Sequence, residues 1–400
     1  MREGWKRVKL GEIITLRRGL TYKKDDEVGF SEKIVLRSNN VDLSKHLFDY
    51  DELKYLRADF DIPIDKYIKQ GELLMCMSNG SKAHLGKVAL YEGQDNIYAF
   101  GGFMSAISHN ELISSKFLYY ALITSRFKDY INTLSAGANI NNLKTKDIDA
   151  YSIEIPSLSE QERIVSLLDL EFAKIDAIKA NAEKQLQNAK DLFQSALKDL
   201  LTPKEGWELK YLGDIAVDMY RGSGITRAQV TREGISCVRY GEIYTTYSYW
   251  FDKCVSHTDE QAISSRKYFE YGDVLFAITG ESVEDIGKSI VYLGNEKCLA
   301  GGDIVVMKHE LNPKFLAYVL SSPDVVRQKG LGKTKLKVVH TNVPSLKSIV
   351  IYIPSTMEQE QIANKLDLLS KKVESMKSNL QKILPLCNDL KQSILKDIFG

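Results

Sequence analysis

The stretch "IPSLSEQERIVSLLD" runs from Ile155 to Asp169, and "IPSTMEQEQIANKLD" runs from Ile353 to Asp367, 198 residues later. A proline that ends an extended run is followed both times by Ser-x-x-Glu, at Ser157/Glu160 and Ser355/Glu358. That spacing is a capping box, in which Ser closes free backbone N–H groups and Glu reaches back. A long helix is therefore expected to start at the same place twice.

The repetition extends outward from there. "GWKRVKLGEI" (Gly4 to Ile13) is echoed by "GWELKYLGDI" (Gly206 to Ile215), and "VLRSNN" (Val35 to Asn40) by "VRYGEI" (Val238 to Ile243). "YIKQGELLMCMSNGSKAHLGKVALY" from Tyr67 lies against "YFEYGDVLFAITGESVEDIGKSIVYL" from Tyr268. "KFLYYAL" at Lys116 meets "KFLAYVL" at Lys314, and "LFQSALKDLL" at Leu192 meets "LKQSILKDIF" at Leu390. The order never changes, so the chain is a tandem duplication of a unit far longer than a solenoid repeat. Two like units most simply bury a common patch across a dyad.

Each copy divides in two. "ELLMCMS" and "DVLFAIT" are short apolar runs bounded by Gly and suit buried strands; "KVALY" and "KSIVYL" suit a hairpin-like return. "KFLYYALITSRFKDYI" has helical spacing, and "IDAYSIEIP" and "LKSIVIYIP" read as a last strand. The expected fold is α+β. Two mixed α/β domains, 1–155 and 203–353, are each followed by a long helix, 156–202 and 354–400.

Within the first helix a strict four-three step passes Leu168, Phe172, Ile175, Lys179, Ala182, Leu186, Ala189, Phe193, Ala196 and Leu200. In the second it passes Ile362, Leu366, Leu369, Val373, Met376, Leu380, Ile383, Cys387, Leu390 and Ile394. A seven-residue apolar period is a coiled-coil seam. The alanines of the first stripe would accept the bulkier side chains of the second. Pro385 should kink the second helix. About 42 helical residues span ~60 Å. Two such helices joined through a globular domain pair most naturally antiparallel, with the two domains inverted relative to each other. The plainer reading is that the helices only dimerise the protein or form an ordinary core.

Composition narrows the function. With 44% hydrophobic and 27% charged residues the chain reads as soluble, and no apolar run suits a bilayer span. No secretory leader is expected at the N-terminus. The five cysteines are scattered and odd in number, which suits a reducing cytoplasm, and no His/Cys pairing suggests a metal. Net charge is +1, so any nucleic-acid surface must be local or shared with a partner.

Two inverted readers on a rod suit bipartite DNA recognition, with contacts about one helical turn apart, roughly 34 Å. The Arg-Ser-Asn-Asn of 37–40, "NINNLKTKDI" at 139–148 and the twice-written "IP…EQ…I…LD" resemble the specificity subunit of type I restriction-modification systems. The resemblance covers essentially the whole chain. It implies a subunit that is not itself catalytic and binds no cofactor. Each domain would read one half of an interrupted double-stranded DNA target. The helices would set the gap and dock two adenine-methyltransferase subunits carrying S-adenosylmethionine. Two restriction subunits using ATP and Mg²⁺ would join through them.

Base readout needs paired donors and acceptors, and backbone positioning needs Lys, Arg and Ser. In the first domain the candidates are Tyr22, Lys23, Lys24, Arg37, Asn39, Asn40, Ser78, Asn79, Ser81, Lys82, Asn139, Asn141, Asn142, Lys144 and Lys146. In the second they are Tyr220, Arg221, Arg227, Arg239, Tyr240, Thr279, Glu281, Ser282, Lys333, Lys335, Lys337 and Asn342. The competing reading makes these solvated turns and makes Arg37 and Arg239, matched between copies, structural. The unmatched segments Ser81–Leu85 and Ser282–Ile286 are where different half-sites would be encoded.

Apparent enzyme motifs fail on inspection. "GLGKTK" from Gly330 has Arg327 where a phosphate loop needs Gly, and "LNPKF" lacks the rest of an adenine-methylase motif. "YRGSGIT" lacks the third glycine of a dinucleotide fingerprint. Two other readings remain open: a specificity subunit of a different phage-defence methylation system, and a coiled-coil scaffold with no DNA role. A fused methylase or nuclease would bind S-adenosylmethionine or cut DNA by itself.

Overall fold

The chain is described by a computed structural model over residues 2–135, 142–280, 282–283, 285–332 and 339–400. Two compact units emerge: Met1–Ala182 with Gln381–Gly400, and Glu183–Leu380. Each holds one mixed α/β domain and part of both long helices.

The first unit has two four-stranded sheets. One runs in the order Ile14–Arg18, Met104–His109, Leu73–Cys76, Val88–Leu90, all antiparallel. The other runs Glu27–Val28, Lys54–Leu56, Lys33–Leu36, Tyr98–Phe100, with the last pair parallel. The second unit repeats this plan with five strands per sheet, the additions being Trp250–Phe251 and Tyr268–Phe269. Both expected hairpin returns form, Leu73–Cys76 with Val88–Leu90 and Val274–Ala277 with Ser289–Tyr292. The chain changes sheet at a glycine. Gly19 donates to Met104 O at 3.1 Å, then Leu20 donates to Phe100 O at 2.7 Å. Gly222 and Ser223 do the same to Ile304 O at 2.8 Å and Ala300 O at 2.6 Å.

A short separate ladder closes each copy. Lys6–Lys9 pairs with Ser152–Ile155, and Glu208–Tyr211 with Val350–Ile353. The copy's first strand thus meets its last, just before the proline that starts the long helix. The strand residues themselves differ, KRVK against ELKY, so main-chain pairing carries the ladder while the flanking Gly-Trp and Leu-Gly repeat.

"KFLYYALITSRFKDYI" forms two helices, Ser115–Leu122 and Ser125–Ser135. The break is at Thr124, whose Oγ1 donates to Ala121 O at 2.9 Å and accepts from Phe127 N at 3.2 Å. A hydroxyl competing for backbone groups in this way ends one helix and caps the next.

The long helices are Leu158–Leu201 and Thr356–Phe399. In the first unit Ile164, Leu168 and Phe172 share a core with Ile394, Leu395 and Ile398, and Lys391 Nζ meets Asp176 Oδ1 at 2.6 Å. In the second, Phe193, Leu197 and Leu200 share a core with Ile362, Leu366, Leu369 and Val373. The start of one helix packs on the end of the other, so they run antiparallel. None of the ten seam positions of the first helix is exposed; Leu168 is fully buried, and Ile175, Leu186 and Phe193 are buried. Met376, Leu380 and Ile383 are half-buried. Leu390 is a correction: it is 50% exposed, and Leu395 is buried instead. A straight helix drifts ~20° per heptad from a strict 3.5 repeat, so after four heptads the seam has moved by ~80°. The second helix runs unbroken through Pro385.

The capping box forms by half. Ser157 Oγ accepts from Glu160 N and Ser355 Oγ from Glu358 N, both at 3.4 Å. The Glu160 carboxylate instead grips Arg163 at 2.7 and 2.8 Å, and Glu358 accepts from Trp207 Nε1 at 3.2 Å. The Arg163 guanidinium is a charged and so stronger donor than the cap's own N–H.

The residues after the box lock the helix to its domain. Buried Gln161 accepts from Ser114 N at 2.9 Å and donates to Leu112 O at 2.9 Å and Pro156 O at 3.1 Å. Gln359 accepts from Asn312 N and donates to Pro354 O, both at 3.0 Å. Asp169 holds Lys116 Nζ at 3.0 Å and the Tyr120 hydroxyl at 2.5 Å. Asp367 holds Lys314 and, at 3.0 Å, the Tyr318 hydroxyl. Burial, then the adjacent carboxylate, pushes the Tyr120 phenol up. Gln161→Ala would strand a buried N–H and two carbonyls. It should cost about 2–3 kcal/mol in a denaturation experiment, and Gln359→Ala should cost a similar amount.

Candidate nucleic-acid interface

In the first unit three loops converge on the end of the strand Leu73–Cys76. Asn79 Nδ2 donates to Ser38 Oγ at 2.8 Å, tying the 78–82 loop to the Arg-Ser-Asn-Asn turn. Leu143 N donates to Met77 O at 2.8 Å, and Ser78 bridges Asn142. Arg37, Ser78, Asn79 and Asn142 thus share one rim, with exposed Ser81, Lys82, Lys144 and Lys146 beside them. Tyr22 lies within electrostatic reach of Arg37, and burial raises its phenol pKa. Among the described residues no acceptor meets the buried Nε of Arg37. An unsatisfied buried donor is costly and calls for a partner such as an ordered water or a bound group.

Asn40 is a correction. It is 1% exposed, its Oδ1 accepts from Arg37 N at 2.9 Å, and its Nδ2 donates to Asp49 O at 3.0 Å and Glu52 O at 3.1 Å. The amide has no free edge to present, so it shapes the turn that carries Arg37. Asn39 is exposed next to it. Lys23 and Lys24 are exposed on a separate turn.

The second unit builds the rim on the same plan. Arg239 N donates to Glu242 Oε2 at 3.1 Å, as Arg37 N does to Asn40. Glu242 is buried, and its Oε1 accepts from Ser256 Oγ at 2.6 Å and Arg239 Nε at 3.4 Å. Tyr240 is exposed beside it. Thr279 pairs with His340, where the first unit pairs Ser78 with Asn142.

Other candidates fall elsewhere. Asn342 caps a helix, its Oδ1 accepting from Ser345 N at 2.9 Å. Ser282 Oγ donates to Asp285 Oδ2 at 2.8 Å within its own loop. Arg221 is held by Asp303 at 2.7 Å and Gly302 O at 2.6 Å. The Tyr220 hydroxyl donates to Tyr268 O. Arg227 is exposed on a short turn. Asn139, Asn141, Glu281, Lys333, Lys335 and Lys337 lie outside the described residues.

Two lysines complete the rims and were not singled out from the sequence. Lys87 Nζ donates to Val41 O at 2.6 Å, and Lys288 Nζ to Tyr244 O at 3.3 Å and Tyr247 O at 3.4 Å. Each fastens the loop that follows the rim arginine, and burial lowers the pKa of both amines. The available signal was the Gly-Lys pair that recurs at Gly86-Lys87 and Gly287-Lys288.

Among the described residues no cluster of His, Cys, Asp or Glu could hold a metal. No described helix is long and apolar enough to cross a membrane. Asn312-Pro313 starts a helix, with Asn312 Oδ1 accepting from Phe315 N at 3.0 Å. Gly330 ends one.

Two copies of one frame, each leading into a long helix, match a known pattern. The family model for the type I restriction modification DNA specificity domain fits residues 2–188 and again 204–384. The chain belongs to that family. Similar members are the type I restriction enzyme StySPI specificity subunit of Salmonella potsdam and the EcoKI specificity subunit of Escherichia coli K12. Each is 26% identical over 99% of this chain and 89% of the relative. The HsdS subunit from Thermoanaerobacter tengcongensis shares the fold, with a TM-score of 0.58 at 18% identity over 100% of this chain and 97% of its own. A chain solved in a study of type I R-M complex assembly gives 0.73 at 18% identity, over 99% and 97%. In this specificity family member, then, the arrangement expected from the sequence is present: two mixed α/β domains alternating with long helices.

Proposed function

We propose that this chain is the DNA sequence-specificity subunit of a type I restriction-modification complex. The rim of each unit reads one half of an interrupted, bipartite double-stranded target. The observation that carries this reading is the pair of matched rims, each built on one backbone frame and lined with different side chains. The antiparallel helices set the gap between the half-sites. They also dock two adenine-methyltransferase subunits and, through these, two restriction subunits. The chain itself carries no catalysis; S-adenosylmethionine, ATP and Mg²⁺ are held by the partners, in the cytoplasm. With a net charge of only +1 the chain leaves much of the phosphate contact to those partners.

The test is an exchange of residues 1–155 for the first domain of another family member, in a complex with methyltransferase subunits. One half of the methylated motif should change and the other half and the gap should stay. A change in both halves would contradict independent reading.

A further inference from the structure

The two rims differ least in backbone and most in side chain. Gly101 N donates to Leu36 O and Gly301 N to Val238 O, both at 2.8 Å. Met77 N donates to Phe103 O at 2.9 Å and Ile278 N to Asp303 O at 3.0 Å. Leu143 N donates to Met77 O at 2.8 Å and Thr341 N to Ile278 O at 3.0 Å. These bonds involve main chain only, so they hold whatever side chains the rim carries. Immediately outside the last of them sits Asn142 in one unit and His340 in the other, both exposed.

We infer that Asn142 and His340 are matched specificity-determining residues, each reading a base of its own half-site. This rests on the DNA-reading function proposed above. His340 was not among the residues suggested by the sequence, because its equivalence to Asn142 appears only through the backbone ladder. The two side chains present different edges. A carboxamide offers one donor and one acceptor side by side, the pattern that matches adenine in the major groove. The His340 ring is held at Nδ1, 3.2 Å from Thr279 Oγ1. In the tautomer in which that hydroxyl donates to Nδ1, Nε2 carries the proton and offers a single donor, which suits guanine N7 or O6. Ser78, at the place of Thr279, also has a hydroxyl, so the pairing partner is conserved in kind while the reader changes.

The experiment uses the full chain in complex with its methyltransferase subunits and reads methylated motifs across a genome-scale DNA sample. His340→Asn should shift the preferred base at one position of one half-site by about tenfold or more and leave the other half-site unchanged. Asn142→His should do the same in the opposite half. Thermal melting of each variant alongside wild type separates reading from folding, and His340→Gln supplies a second substitution should His340→Asn melt early. Variants that melt like wild type and methylate the wild-type motif at the wild-type rate would overturn the assignment and leave the bipartite reading standing. A wild-type complex that methylates no interrupted motif would overturn that reading itself.

Discussion

Gly222→Ala should be among the most damaging single-methyl additions this chain can receive. A Cβ built there would lie 2.2 Å from Gly301 O and 2.7 Å from Ala300 O. Both obstacles are backbone, so no rotamer change relieves them. Retreat would break the Ser223–Ala300 bond that carries the chain from one sheet into the other. We expect a loss of about 3 kcal/mol or more, a drop of roughly 10 °C in melting temperature for a unit of this size. Gly19→Ala should behave alike, since its Cβ would meet Gly101 O at 2.2 Å. Gly224→Ala is the control, because nothing lies within 4 Å of a Cβ at that position. Equal melting of Gly222→Ala and Gly224→Ala would show that the crossing is not tight.

Lys329→Ile should stabilise the chain. Lys329 is 6% exposed beneath Gly287, and its amine donates to Leu320 O at 2.7 Å and Ser289 Oγ at 3.0 Å. Both acceptors are neutral, and burial pulls the amine pKa from 10.5 down to about 7. At the matching place beneath Gly86 the first unit has Ile131, fully buried, so the frame already accommodates isoleucine. Burying an ammonium without a counter-charge costs several kcal/mol, against about 1–2 kcal/mol for two acceptors left unmatched. The net gain should be about 1–3 kcal/mol. Its pH dependence has a definite sign. Because the folded state holds this proton less tightly than the unfolded state, the cost is full below pH 7. It fades as pH rises from about 7 toward 10.5. The advantage of Lys329→Ile in chemical denaturation should therefore be largest at pH 6 and small at pH 10. An advantage that is constant with pH would mean the amine is not desolvated.

The duplication, the start of each long helix and most of the seam are legible in sequence, because each is a periodic signal carried by many residues. Leu390 was misplaced because a strict 3.5 repeat and a 3.6-residue helix part company over four heptads. What the repeated motif is for was not legible. Gln161 and Asp169 find Ser114, Lys116 and Tyr120 some fifty residues upstream, and only the fold brings them together. The rim was half legible. Arg37, Asn79 and Asn142 converge as loop residues should, but Asn40 and Asn342 looked identical in type and turned out to serve backbone groups. Asn, Asp and Ser cap turns as readily as they meet ligands, and sequence gives no way to tell which. His340 and Lys87 were missed because their significance depends on which strand end they face.

The most direct check is a map of modified bases in DNA methylated by the complete complex. An interrupted motif is expected, with one methylated adenine in each half, on opposite strands, separated by a gap of fixed length. A continuous motif, or methylation directed by a single half-site, would contradict two readers held apart by paired helices.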